Sequence, residues 1–263
     1  AHKGINHISF TGSVTTGRLV QASAANNIVP VTLELGGKSP QLFFEDANLE
    51  SALPFLVNAG IQNGGQTCSA SSRILVHRSR YNEVVDHMSQ KYKDLIVRPA
   101  INDGALGPLI SERQKSIVED FISKGQRLNL VAQGKIDSSA PTKGHYVAPH
   151  LFADVPEDHI LAKDEIFGPV QVIMPFDTEE EAISIANGTD YGLVASIWTN
   201  DGARQMRLAK KLKSGQVFIN NYGAGGGVEL PFGGRGFSGH GREKGFEALY
   251  GFSTLKTVAS YHQ

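Results

Sequence analysis

The sequence predicts an α/β fold with a largely parallel sheet, on three observations. Short apolar or alternating runs of β type interleave with segments of helical period along most of the chain. No stretch repeats with a period of 20 to 50 residues, which argues against solenoids and propellers. The 263 residues are 40% apolar, enough to bury about three-quarters of the unfolded surface around a real core.

In chain order, residues 5–10 predict a strand, and 15–25 a helix with Leu19, Val20 and Ala22 on its apolar side. Residues 31–35 and 41–44 are β-type runs separated by Gly36-Gly37. Residues 49–62 predict a helix that stops at Gly64-Gly65, directly before Cys68. A strand over 73–77 follows, then a helix over 81–96 with Ser79 as its cap and another over 111–124. Residues 170–176, 178–187, 193–199, 203–212 and 216–220 continue as strand, helix, strand, helix, strand. The tail holds a short helix and then 253–259, which alternates like a strand and needs a sheet elsewhere or another subunit to pair with. Eleven of the 29 glycines fall between Gly223 and Gly251, so the glycine excess is local. The expected units are 1–36, 37–236, 237–250 and 251–263, with breaks near Gly36-Gly37 and Gly236.

Composition excludes several classes of function. Twenty-five basic against 26 acidic residues leave no electrostatic footprint for nucleic acid or anionic lipid. The densest basic run, Arg204, Arg207, Lys210, Lys211 and Lys213, reads as a solvated helix face. No apolar stretch approaches the roughly 20 residues of a membrane helix, and the first residues do not begin a signal peptide. A cytoplasmic protein is expected, and the missing initiator Met suggests a piece of a longer chain. One cysteine precludes an internal disulfide, and the nine histidines form no ligand ladder, so no metal is expected.

Four segments could carry chemistry. Cys68 lies among small and polar residues in Asn63-Gly64-Gly65-Gln66-Thr67-Cys68-Ser69. A lone cysteine is often just a small buried hydrophobe, but glycines let backbone amides approach a ligand, as a nucleophile needs. Glu34 interrupts an apolar strand, and is either on an exposed face or functional. Thr11-Gly12-Ser13 joins a strand to a helix whose N-terminal amides could hold a phosphate. Its Gly12-to-Gly17 spacing is not a Walker loop, because Arg18-Leu19 stand where Lys and Ser/Thr are required. Ser111 and Gln114 have capping-box spacing, and Asp164-Glu165-Ile166-Phe167-Gly168-Pro169 is a turn before a strand.

In this order the segments resemble the aldehyde dehydrogenase superfamily. The carriers are Phe10-Thr11-Gly12-Ser13, Leu33-Glu34-Leu35-Gly36-Gly37-Lys38-Ser39-Pro40, Gly65-Gln66-Thr67-Cys68, Glu165-Ile166-Phe167-Gly168-Pro169-Val170, Asn220 and Pro231-Phe232-Gly233-Gly234. Ser238-Gly239-His240-Gly241-Arg242-Glu243 is similar to the family's closing signature. The resemblance spans the chain, but only about the C-terminal half of a usual member.

The resemblance implies a three-layer αβα catalytic domain, a partial Rossmann-like cofactor domain and a C-terminal oligomerisation strand. It implies NAD(P)-dependent oxidation of an aldehyde to a carboxylic acid through a cysteine thiohemiacetal and thioester. Cys68 would be the nucleophile and Glu34 the base that activates water for deacylation. Gly12 and Ser13 would hold the cofactor's pyrophosphate, Glu165 its nicotinamide ribose, and Phe167 would pack beside that half. Asn220, Thr67, Ser69 and the 223–227 loop would shape the substrate pocket. The cofactor would be NAD or NADP, with NAD favoured, and the assembly a homo-oligomer, dimer or tetramer. The isolated chain should bind cofactor weakly and turn over poorly. Two readings compete: a cofactor-independent thiol esterase, and a non-catalytic assembly module.

Overall fold

The computed structural model describes residues 2–223 and 227–262. Its larger sheet has seven strands and its smaller one three, and the chain starts and ends in the smaller. In the small sheet, β1 (Ile8–Thr11) runs parallel to β2 (Val31–Glu34). Between them lies α1 (Val14–Ala25), whose cap Ser13 accepts from the Thr16 amide through its hydroxyl.

The chain then enters the large sheet through β3 (Pro40–Phe43), α2 (Leu49–Ile61), β4 (Arg73–His77) and α3 (Tyr81–Asp94). A two-stranded sheet, β5 (Ile96–Val97) with β7 (Lys135–Ile136), flanks α4 (Glu112–Lys124) and β6 (Asn129–Gln133). There follow β8 (His150–Ala153), α5 (Ile160–Lys163), β9 (Val170–Phe176), α6 (Glu179–Asn187), β10 (Val194–Trp198), α7 (Gly202–Lys211) and β11 (Gln216–Ile219). The strand order is β11-β10-β3-β4-β9-β8-β6, with every neighbour parallel except β6 against β8. β12 (Gly239–His240) returns antiparallel to β2, and α8 (Gly245–Gly251) follows.

Strand alternation makes the large sheet the middle of three layers. Leu42, Leu75 and Val172 face Val118 of α4, Leu161 of α5, Ile185 of α6 and Leu208 of α7. Phe43, Ile74 and Ile173 face the opposite side, under Leu56 of α2 and Val84 and Met88 of α3. Both faces are dry, which is why these strands read as near-continuous apolar runs.

Several expectations need correction. The buried face of α1 is Gly17 and Ala24, with Val20 half-buried, and Leu19 is exposed. Gly17 is there because a Cβ would collide with Leu35. Ser79 does not cap α3: it sits in a 3-10 turn, and its amide is accepted by the His77 ring. Residues 253–259 pair with no described strand and lie exposed, so they form no strand within this chain. Arg204 does not belong to a solvated face, because it bonds Glu45 and Asp46 and covers the Phe44 ring. No described helix is long and apolar enough to cross a membrane.

Candidate active site

The site lies where the two sheets meet end to end. Gly12 and Ser13 follow β1 and Glu34 ends β2, so the small sheet presents its C-terminal ends, the usual ligand edge of an open α/β sheet. Cys68 lies ahead of β4, and Glu165 to Phe167 lie ahead of β9, so the large sheet presents its N-terminal ends. A cavity of about 820 Å³ opens between them, lined among others by Gly12, Ser13, Thr67, Cys68, Ser69, Gln114, Glu165 and Phe167.

The Cys68 loop is fixed by its backbone turn and by hydrogen bonds, with Cys68 packed against the cluster of Ala59, Leu193, Val194 and Tyr222. After α2, Asn63, Gly64 and Gly65 take φ of 53°, 65° and 74°, turning the chain sharply. Gly65 admits no other residue without movement, since a Cβ would strike the Gly168 carbonyl. Asn63 Nδ2 donates to the Gln66 carbonyl at 3.1 Å, and Gln66 Oε1 accepts the Ile110 amide at 2.9 Å. The Tyr222 hydroxyl donates to the Ser69 carbonyl on the other side of the cysteine.

Across the cavity, Glu165 Oε1 accepts the Gly37 amide at 2.9 Å. A Cβ on Gly36 would occupy the place of the Glu165 carboxylate, so a side chain there would displace that group. Gln114 does not close a reciprocal capping box. Ser111 Oγ accepts the Gln114 amide at 3.2 Å, but Gln114 Nε2 donates to the carbonyls of Phe167 at 2.9 Å and Ile166 at 3.3 Å. It therefore holds the loop that carries Glu165 and Phe167, where Phe167 takes a φ of 54°.

The aldehyde dehydrogenase family profile matches residues 1–258. This chain belongs to that family. It is 38% identical over 260 residues to a betaine aldehyde dehydrogenase of Rhizobium leguminosarum bv. trifolii, covering 98% of this chain and 53% of that protein. A Burkholderia cenocepacia crystal structure named for the same family superposes with a TM-score of 0.96 at 60% identity, covering 98% of this chain and 54% of that one. The NAD+ complex of a Bacillus cereus aldehyde dehydrogenase gives a TM-score of 0.92 at 40% identity, over 98% of this chain and 52% of that one. The chain thus spans about half the length of the relatives it matches.

Within this aldehyde dehydrogenase chain, Glu34 is not on an exposed face of its strand. It is 2% exposed, and neither carboxylate oxygen has a hydrogen-bond partner among the described residues. Burial and the nearby Glu243 push it up to about 8, against the pull of Arg242. Its carboxylate rests against Gly233 and does not line the cavity, although Leu35 and Gly36 beside it do. Burial and then Glu165 and Glu34 also push the Cys68 thiol up.

Asn220 is not brought to the cavity either. Its φ is 48°, and its amide is spent on the Thr199 backbone, Nδ2 to the carbonyl and Oδ1 from the amide, both at 3.0 Å. Of the 223–227 loop, residues 224–226 lie outside the described residues. Sequence reasoning did not single out Gln62, Ile117, Phe232, Glu243 and Lys244, which also line the cavity. Two of them carried a signal: Phe232 within Pro231-Phe232-Gly233-Gly234, and Glu243 as the last residue of the closing signature.

Proposed function

We propose that this chain carries the covalent half of an NAD-dependent oxidation of an aldehyde to a carboxylic acid. The observation that carries the reading is the shared cavity: Cys68 opens into the same space as the α1 N-terminus and the Glu165 to Phe167 loop. These residues fit a dinucleotide. Gly12 and Ser13 would take a phosphate on helix amides, Glu165 the hydroxyls of a ribose, and Phe167 a flat ring face. Gly36 leaves the room that the Glu165 carboxylate occupies at the cavity wall. Complexes with NAD+ among the relatives favour NAD over NADP.

Cys68 gives its thiol proton to water, its Sγ attacks the carbonyl carbon, and the oxygen that gains charge is met by backbone amides of the 66–69 loop, a contribution of about 3–4 kcal/mol per well-placed donor. The bound cofactor supplies the hydride acceptor, which leaves a thioester on Cys68. Glu34 then takes a proton from water, the water oxygen attacks the thioester carbonyl, and the acid departs with Sγ restored. A carboxylate raised to about 8 is a far stronger base than an exposed one. To act, it must turn from Gly233 toward Cys68. The exposed apolar residues Leu255, Val258 and Tyr261 support a dimer or tetramer in which the tail is covered.

With the family's N-terminal half in place, single-turnover kinetics tests the assignment. Glu34→Gln should give a burst of about one NADH per site and then stall, and Cys68→Ser should give none. Equal loss of the burst in both would overturn the roles.

A further inference from the structure

Lys38 stands out as a buried cation with nothing to bond. It is 2% exposed, and among the described residues its Nζ has no hydrogen-bond partner. Arg73, on the adjacent strand, is equally buried but is consumed by carbonyls. Its Nε donates to Lys38 O at 3.0 Å, Nη1 to Ile185 O at 2.8 Å and Nη2 to Ala186 O at 2.7 Å. Arg73 therefore ties the start of β4 to the segment ahead of β3 and to the end of α6, and its hydrogen bonds leave the nearby carboxylates alone. A buried ammonium left unpaired is costly, so its charge must be compensated through space.

The acids that face Lys38 are Glu165 and Asp164, on the loop ahead of β9, and the cation that faces it is Arg73. Glu165, half-buried, accepts the Gly37 amide, one residue from Lys38 along the chain. Lys38 is the cation that acts on Glu165, and Glu165 in turn acts on Cys68 and Tyr191.

We propose that Lys38 is a positioning residue whose buried ammonium keeps the Glu165 carboxylate charged and seated on the Gly37 amide, ready to accept hydrogen bonds from a ribose. The inference rests on the reading of Glu165 as a cofactor residue, and deepens it. Burial, with Arg73, brings Lys38 down to about 7, while burial pushes Glu165 up. Each charge thus depends on the other.

The coupling is measurable without cofactor. In protein labelled at lysine Cε, an NMR titration follows Lys38 directly, and Glu165→Gln should lower its midpoint by about one pH unit or more. An unmoved midpoint would overturn the proposal. The second arm, with the family's N-terminal half in place, reads NADH affinity against pH. Lys38→Met should move the acid limb upward by about one pH unit and Lys38→Arg should restore it, while in the Glu165→Gln background Lys38→Met should shift nothing. An equal shift in that background would mean a merely structural role. If NADH bound at no pH while Glu165→Gln still moved Lys38, the cofactor reading would fall and the coupling would stand.

Discussion

The central strands of the seven-stranded sheet are dry on both faces: β3, β8 and β10 contain no exposed residue, and two large apolar clusters enclose them. In the three-stranded sheet, β1 alternates between half-buried and exposed residues, α1 buries only Gly17 and Ala24, and the cluster beneath has four fully buried members. The reaction's groups are divided between these regions. Cys68, Glu165 and Phe167 belong to the thick unit, while Glu34, Gly12 and Ser13 belong to the thin one. The nucleophile is thereby held by close backbone contact, whereas the base is buried at the end of the thin sheet's central strand with no hydrogen bond holding its carboxylate among the described residues.

Glycine replacements should show this contrast most strongly. Gly65→Ala forces a left-handed residue's Cβ into the Gly168 carbonyl. It should cost about 3 kcal/mol or more, read from the urea midpoint. Gly12→Ala meets only the end of the Phe10 ring, and should cost about 1 kcal/mol or less. Equal losses would mean that the two units are equally rigid.

Glu34 sharpens the contrast through pH. Folded, its carboxyl keeps a proton up to about 8, whereas unfolded it loses one near 4.5. Between those values the folded state binds more protons, so this group makes stability fall as pH rises from about 4.5 to about 8 and stay low above. Glu34→Gln should flatten that slope and add stability on the order of a few kcal/mol at alkaline pH, measured by denaturant unfolding across the range. The same slope in the variant would place the titration elsewhere.

Much of this was legible in the sequence where burial is uniform. β4, β9 and β10 are apolar runs because both sheet faces are covered, and the turn glycines announced the Cys68 loop. β6 and β8 were not, since β6 is an exposed edge with little apolar content and β8 has four residues. The apolar side expected for α1 was wrong because Gly17, not a large residue, makes its contact. Asn220 looked like a pocket residue and is a backbone clasp for Thr199. Lys38 gave no sign of its burial, because a lysine between glycine and serine reads as solvated, and only the third dimension brings it within electrostatic reach of Glu165.

The central claim is that the thick unit's cysteine and the thin unit's carboxylate act in succession. Its most direct test is mass spectrometry of the Glu34→Gln protein, with the family's N-terminal half in place, after exposure to aldehyde and NAD+. The account predicts an acyl group accumulating on the peptide that contains Cys68, in step with NADH. NADH formed with no acyl adduct, or an adduct on another residue, would contradict it.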